Sequence, residues 1–135
     1  LQGERQITHS IVRNGRVIFT TLIPSEDPCR PGGDSWLMEL NAASGGRLTY
    51  APFDLNLDRR FTIGDHMRVG EGEDAVWMPP SGLLVDGGAT ATPAILVGED
   101  GAEYKQLSTA SGLRTVRENP GPNDVGRQSW REIVQ

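Results

Sequence analysis

The chain has 135 residues, enough for one domain of ordinary size, with 36% hydrophobic and 23% charged residues and a formal net charge of −5. Its 17 glycines and 9 prolines favour turns and short strands over helices, so we expect a single β-domain spanning residues 1–135. The basic residues are scattered and outnumbered by acidic ones, which argues against a nucleic-acid partner. No apolar run approaches the roughly 20 residues that cross a bilayer, so no membrane span is expected.

The first predicted element is a β-hairpin near the start of the chain. Two short apolar runs, residues 11–13 and 16–19, flank the pair Asn14-Gly15. Asn-Gly is the pair that best tolerates the two positive φ angles of a type I′ turn. The sequence therefore predicts a hairpin whose turn lies at residues 14 and 15.

A second hairpin is predicted after a loop rich in proline and glycine. Residues 24–34 hold three prolines and two glycines and are predicted to form this loop. Residues 36–40 alternate so that Trp36, Met38 and Leu40 share one strand face, which we expect to lie in the core. A turn at residues 41–46 and a return strand at residues 47–50 complete the prediction.

The rest of the chain shows weaker patterns. Residues 59–74 are polar and irregular with room for one helical turn, and residues 79–88 and 119–126 are predicted connectors. A third hairpin is predicted from strands at 94–97 and 103–107 with a turn at 98–101, and a last strand at 128–134. No amphipathic helix of ordinary length is indicated.

The residues typical of enzyme chemistry are few. Nucleophilic catalysis or a zinc site would need Cys29, His9 or His66, but these lack the spacing that such sites use. Cys29 is predicted to be half of a disulfide or a buried thiol, which leaves the redox compartment open. We therefore expect a protein that is not an enzyme.

The three tryptophans offer a second possible surface for ligands. Trp36, Trp77 and Trp130 could stack on a ligand, but burial in a β-core is the favoured interpretation for all three. Trp77, just before two prolines, is expected to be the most exposed of them.

Residues 54–65 have the most suggestive chemistry. Acidic and amide residues at alternate positions, followed by a carboxylate at position twelve, follow the spacing of a calcium loop of the EF-hand type. Arginine instead of glycine at position six, and Asp instead of Glu at position twelve, depart from that pattern, and an Asx-rich structural turn is the alternative interpretation. The candidate ligands are Asp54, Asn56, Asp58 and Asp65, with the main-chain carbonyl of Arg60 and the Thr62 hydroxyl.

The order of strands and turns is typical of quinoprotein-like propeller blades. Such blades take about 40–50 residues each, and a closed ring needs at least about four of them. The sequence therefore predicts an all-β fold with little helix, either an incomplete β-propeller of two to three blades or a compact β-domain of another architecture. A fragment of a quinoprotein dehydrogenase is the weaker functional alternative.

Several segments resemble one family. The run from Gly15 to Pro24, residues 27–29 and residues 32–40 are similar to the C-terminal region of the PilY class of type IV pilus-tip proteins, which includes the PilC adhesins. The similarity continues at residues 45–46, 53–56, 92–93, 103–105 and 126–132.

The resemblance implies a fold, a role and a location. It implies the last blades of a modified propeller and a part in pilus biogenesis, retraction control, twitching motility and surface adhesion. The implied partners are the remainder of the same propeller, minor pilins and a host or abiotic surface, and the implied location is extracytoplasmic. An independent calcium-dependent adhesive or lectin-like β-domain is the alternative.

Overall fold

The computed structural model describes residues 3–26 and 32–122, and this part of the chain is all-β as predicted. The only helices in it are two short 3₁₀ helices, Ile63–Asp65 and Gly72–Asp74. None of its helices is long and apolar enough to cross a membrane. The ten strands are β1 Arg5–Gln6, β2 Ile11–Arg13, β3 Arg16–Pro24, β4 Gly33–Asn41, β5 Met67–Val69, β6 Val76–Met78, β7 Gly82–Val85, β8 Ala94–Val97, β9 Glu103–Thr109 and β10 Gly112–Glu118.

The first sheet is built around β3 and β4, which pair over their full length. Strand β7 pairs with the other side of β4, while β2 and β1 pair in turn with the other side of β3, and all pairs are antiparallel. Asn14 and Gly15 adopt φ angles of 48° and 70° between β2 and β3. The predicted Asn-Gly hairpin is therefore confirmed.

The second sheet has, in the described part of the chain, three antiparallel strands in the order β10-β9-β8. Strands β8 and β9 form the third predicted hairpin, but β10 was not predicted. Within the described residues, strands β5 and β6 pair only with each other, as a separate hairpin that begins in the segment predicted to be irregular and ends just after it. The helical turn expected in that segment is present at Ile63–Asp65.

The predicted return strand at residues 47–50 is wrong. The turn itself forms, because the Asn41 side chain accepts from the main-chain N–H of Ala43 and Ser44. The chain then runs inward, where Leu48 and Phe53 are buried. This segment therefore buries its side chains instead of pairing with β4. Strand β7, which lies within the segment predicted to be a connector, pairs with β4 in its place.

The apolar core lies between the two sheets. Its buried members come from both sheets and from the segment that follows β4. Because one cluster includes side chains of both sheets, the sheets pack against each other through it. The buried members are Ile18, Leu37 and Val85 from the first sheet, Leu107 from the second sheet, and Phe53.

Strand β4 buries the opposite face from the predicted one. Ser35, Leu37 and Glu39 are fully buried, while Trp36 and its face are only half-buried. Polar side chains can occupy the inner face because each finds a partner there: Ser35 donates to the carbonyl of Gly88 at 2.7 Å.

The tryptophan prediction fails at a second position. Trp77, on β6, is 58% exposed rather than buried. Trp130, Cys29 and the predicted strand at 128–134 lie outside the described residues.

Candidate functional site

The candidate loop at residues 54–65 begins at the edge of the second sheet. Phe53 forms an isolated antiparallel bridge with Glu118 of β10, and the N–H of Asp54 donates to the carbonyl of Arg117 at 3.4 Å. Phe53 is fully buried, so it anchors the start of the loop in the core. The loop ends at the 3₁₀ helix Ile63–Asp65.

The buried Asp65 carboxylate closes the loop. Its Oδ1 accepts from the N–H of Leu55 at 2.9 Å and of Asn56 at 3.3 Å, and its Oδ2 accepts from the N–H of Thr62 at 2.9 Å. The Thr62 hydroxyl accepts from the N–H of Gly64 at 3.1 Å, which completes a capping box. The residue at position twelve thus holds the loop together through main-chain hydrogen bonds.

Two further side chains bend the middle of the loop. Asn56 Oδ1 accepts from the N–H of Asp58 at 2.9 Å, and Asp58 Oδ1 accepts from the N–H of Arg60 at 2.8 Å. Between them, Leu57 and Arg59 adopt φ angles of 59° and 66°. Because this left-handed conformation is unfavourable for residues other than glycine, the side-chain bonds explain how arginine occupies the position where a calcium loop has glycine.

Asp54 forms an ion pair with an arginine from the second sheet. Its Oδ2 accepts from the N–H of Arg59 at 3.0 Å and from Arg117 Nη1 at 3.2 Å. The Arg117 guanidinium also lies 3.1 Å from Asp100 Oδ2 and 4.8 Å from the centre of the Phe61 ring. Arg117 therefore supplies a cation next to the loop's first carboxylate.

Asp100 is kept ionised beside Arg117. Desolvation opposes this, but hydrogen bonds from the N–H of Ala102 and from Arg117 hold the pKa of Asp100 below its ordinary value of 3.8. The hydroxyl of Tyr104 also donates to this carboxylate at 3.0 Å.

The loop's oxygen atoms fit a calcium ion only in part. Asp54 Oδ1 is buried and has no hydrogen-bond partner, which suits a cation. The Asn56, Asp58 and Asp65 side chains already accept main-chain N–H groups. In the described part of the chain, no three His, Cys, Asp or Glu side chains converge to hold a metal ion. This geometry favours the Asx-rich turn, and calcium binding stays a prediction.

A second group of charged residues, missed in the sequence, lies between the sheets. We call it the buried charge cluster, and all of its members are at most 1% exposed. Lys105 Nζ contacts Glu39 Oε1 at 3.2 Å, Glu103 Oε2 at 3.0 Å, and Glu118 Oε2. The cluster consists of Arg16, Glu39, Glu103, Lys105 and Glu118.

Arg16 links the same cluster to both sheets. Its Nη1 donates to Glu39 Oε2 at 2.8 Å and to the carbonyl of Asn119 at 2.7 Å, and its Nη2 donates to Glu103 Oε2 at 2.6 Å. Arg13, which is partly exposed, donates to Glu103 Oε1 at 2.6 Å from the rim.

Strand register brings these residues together. Glu103 and Lys105 alternate on the inner face of β9, and Glu118 of β10 lies directly opposite Glu103. The sequence offered one signal for this: Glu103 and Lys105 share a strand face with the apolar Leu107.

The β5–β6 hairpin exposes apolar side chains on both faces. Every strand position except the half-buried Met78 is exposed. A groove of about 340 Å³ beside it is lined by Ile63, Gly64 and Trp77. The exposed apolar residues of the hairpin are Met67, Val69, Val76 and Trp77.

Comparison with known proteins gives consistent results. No family model matches the chain. The chain is 30% identical, over 98% of its length, to the type IV pilus biogenesis factor PilY1 of Pseudomonas aeruginosa strain PAO1. It is 33% identical, over 99% of its length, to a PilY1 homolog of Xylella fastidiosa strain Temecula1. The chain spans only 11% and 10% of the length of these two relatives.

A solved structure shares the fold. The crystal structure of the Pseudomonas aeruginosa PilY1 C-terminal domain matches 90% of this chain with a TM-score of 0.67 and 22% sequence identity. The match covers 21% of that crystallised chain. Together with the two relatives, this match confirms the resemblance found in the sequence to the C-terminal region of the PilY class.

Proposed function

Because the chain is homologous to the C-terminal region of PilY1, we propose that it is a non-enzymatic binding and assembly module of a type IV pilus-associated protein. The homology over 98% of the chain carries this proposal. The proposal includes roles in pilus biogenesis, retraction control, twitching motility and surface adhesion, at an extracytoplasmic location.

The two sheets support an arrangement as propeller blades. The strands β2, β3, β4 and β7 form an antiparallel series of four, which is the strand number of one blade. The second sheet contributes three more antiparallel strands in the described residues. We propose that the two sheets are successive blades and that the remainder of the same propeller is their first partner.

The β5–β6 hairpin is the proposed contact surface. An isolated two-stranded hairpin is marginally stable in water, and exposed apolar patches commonly mark protein interfaces. In the relatives, the homologous region is about a tenth of the chain, so a large remainder is available to cover such a hairpin. Minor pilins and a host or abiotic surface are the further proposed partners.

Substitution of the hairpin in the full-length protein tests the proposal. Truncating an interface hot spot, a class of residue in which tryptophan is enriched, costs about 2 kcal/mol or more of binding energy. In the bacterium that makes the protein, we expect Trp77→Ser to reduce surface pili and twitching. The matched control is Leu113→Ser, since Leu113 is 63% exposed on the second sheet and Trp77 is 58% exposed.

Two outcomes would contradict the proposal. Normal pili and twitching with Trp77→Ser, at normal protein levels, would show that the hairpin is not the contact surface. Normal pili and twitching after deletion of the whole gene would show that the protein has no role in the pilus. Circular dichroism of the purified 135-residue chain establishes that both variants are folded.

A calcium-dependent adhesive β-domain is the second candidate function. One observation favours it, namely the buried Asp54 Oδ1 that has no hydrogen-bond partner. Calcium at this position would have to displace main-chain N–H groups or the Arg117 guanidinium, which already lies beside Asp54.

A further inference from the structure

The buried charge cluster has an unbalanced charge. If all its groups were ionised, the carboxylates of Glu39, Glu103 and Glu118 would face, among the residues that the structure describes, only two fully buried cations, Arg16 and Lys105. A third cation, Arg13, reaches Glu103 alone, from the partly exposed rim. A buried charge without a partner is costly, and proteins commonly avoid that cost by changing protonation.

Two oxygen atoms in the cluster lack hydrogen-bond partners. They are Glu39 Oε1 and Glu118 Oε1, and both are buried. Lys105 Nζ lies 3.2 Å from Glu39 Oε1, which is an ionic contact without hydrogen-bond alignment. An ionised carboxylate can only accept hydrogen bonds, whereas a protonated one also donates. Lys105 Nζ contacts both carboxyl groups, and Glu39 is a side-chain hydrogen-bond neighbour of Glu118. One proton between the two carboxyl groups would therefore satisfy both oxygens and remove the excess charge of the fully buried groups.

We propose that Glu118 is a neutral carboxylic acid that donates its proton to Glu39, and that this buried proton holds the two sheets together. Glu39 lies on β4 of the first sheet and Glu118 on β10 of the second, so the shared proton spans their interface. Its loss leaves a negative charge enclosed between the sheets and loosens their packing.

The electrostatic surroundings of Glu118 agree with this. Burial, and then the charge and hydrogen bond of Glu39, raise the pKa of Glu118 well above its ordinary value of 4.5, against the opposing effect of Lys105. The other charged or titratable groups facing the cluster are Arg13 on β2, Arg16 on β3, Glu103 on β9, and Tyr50 from the segment after β4. Burial raises the pKa of Tyr50 above 10.0, so its hydroxyl stays neutral.

The sign of the pH dependence follows from proton counting. Above about pH 4.5 the unfolded chain releases the Glu118 proton while the folded chain keeps it. The stabilisation from this group is therefore complete below that pH and is lost as the pH rises toward the folded pKa. Glu103 acts oppositely: burial opposes the shift, but hydrogen bonds from Arg13 and Lys105 lower its pKa, so its contribution is lost on acidification.

Two matched substitutions test the proton. Glu118→Gln keeps a donor for Glu39 and an acceptor for Lys105, so it imitates the protonated acid. Because folding of this variant requires no proton uptake, we expect its Tm at pH 7 to be at least as high as that of the unsubstituted chain, and its alkaline loss of stability to disappear. Glu39→Gln leaves Arg16 and Lys105 without their shared carboxylate, and we expect it to lower Tm by more than about 10 °C.

A spectroscopic measurement gives an independent result. The carboxyl ¹³C chemical shift of Glu118 in the unsubstituted 135-residue chain is followed from about pH 5 to pH 9. We expect the protonated value at pH 7. An ionised value at pH 7, or a Tm loss for Glu118→Gln as large as that for Glu39→Gln, would overturn the proposal. The chemical shift decides the matter even if a variant does not fold.

Discussion

The candidate loop at residues 54–65 and the buried charge cluster both contain carboxylates, but their carboxylates bond to different kinds of partner. In the loop, each Asp or Asn side chain accepts main-chain N–H groups from 2 to 10 residues away. In the cluster, Arg16 bonds side chains 23 and 87 residues away. The loop is therefore held by bonds that form with the local turn, whereas the cluster exists only after the two sheets have packed.

The largest expected effect in this comparison comes from Arg16→Met. Removing Arg16 leaves Glu39 and Glu103 buried without their guanidinium, and we expect a loss of about 3–5 kcal/mol in the free energy of unfolding. Denaturant titration measures it. The matched control is Arg114→Met, which breaks the exposed pair with Asp86 and should cost about 0–1 kcal/mol. Equal losses would show that burial does not distinguish the two arginines.

A smaller effect is expected from Asp65→Ala in the loop. This substitution removes three hydrogen bonds to main-chain N–H groups and the capping box, so we expect a loss of about 2–3 kcal/mol. The control is Asp58→Ala, which removes one exposed bond to the N–H of Arg60 and should cost about 0.5–1 kcal/mol. If thermal unfolding gave the two variants the same stability, Asp65 would not be what closes the loop.

The two regions also differ in how far the sequence predicts them. The Asn14-Gly15 hairpin and the hairpin of β8 and β9 were predicted because turn residues and alternation are local signals. The pairing of β4 with β7 was not predicted, because it joins residues more than 40 positions apart. It also depends on the burial of Leu48 and Phe53, which takes the segment after β4 away from the sheet. Strand β10 was missed because its alternation is mostly polar.

Within the candidate site, the same division holds. The segment containing Asp54 and Asp65 was singled out because the spacing of its acidic residues is visible in the sequence. Their hydrogen-bond partners were not predictable, because Arg117 arrives from a strand 63 residues away. The burial of Lys105 and Glu118 was not predictable either, since no local pattern shows that a second sheet will cover them.

Calcium addition gives the smallest expected effect and separates the two interpretations of the loop. If calcium binds the folded loop, about 1 kcal/mol of stabilisation is expected at about five times its dissociation constant. That corresponds to a rise in Tm of roughly 4 °C in chelator-treated protein. The rise should be absent with Asp54→Asn, because Asp54 Oδ1 is a buried oxygen without a hydrogen-bond partner. It should also be absent with magnesium, because magnesium requires a nearly ideal octahedral site. A flat response to calcium would instead leave Arg117 as the cation that pairs with Asp54, and the loop as a structural turn held by its own Asp and Asn side chains.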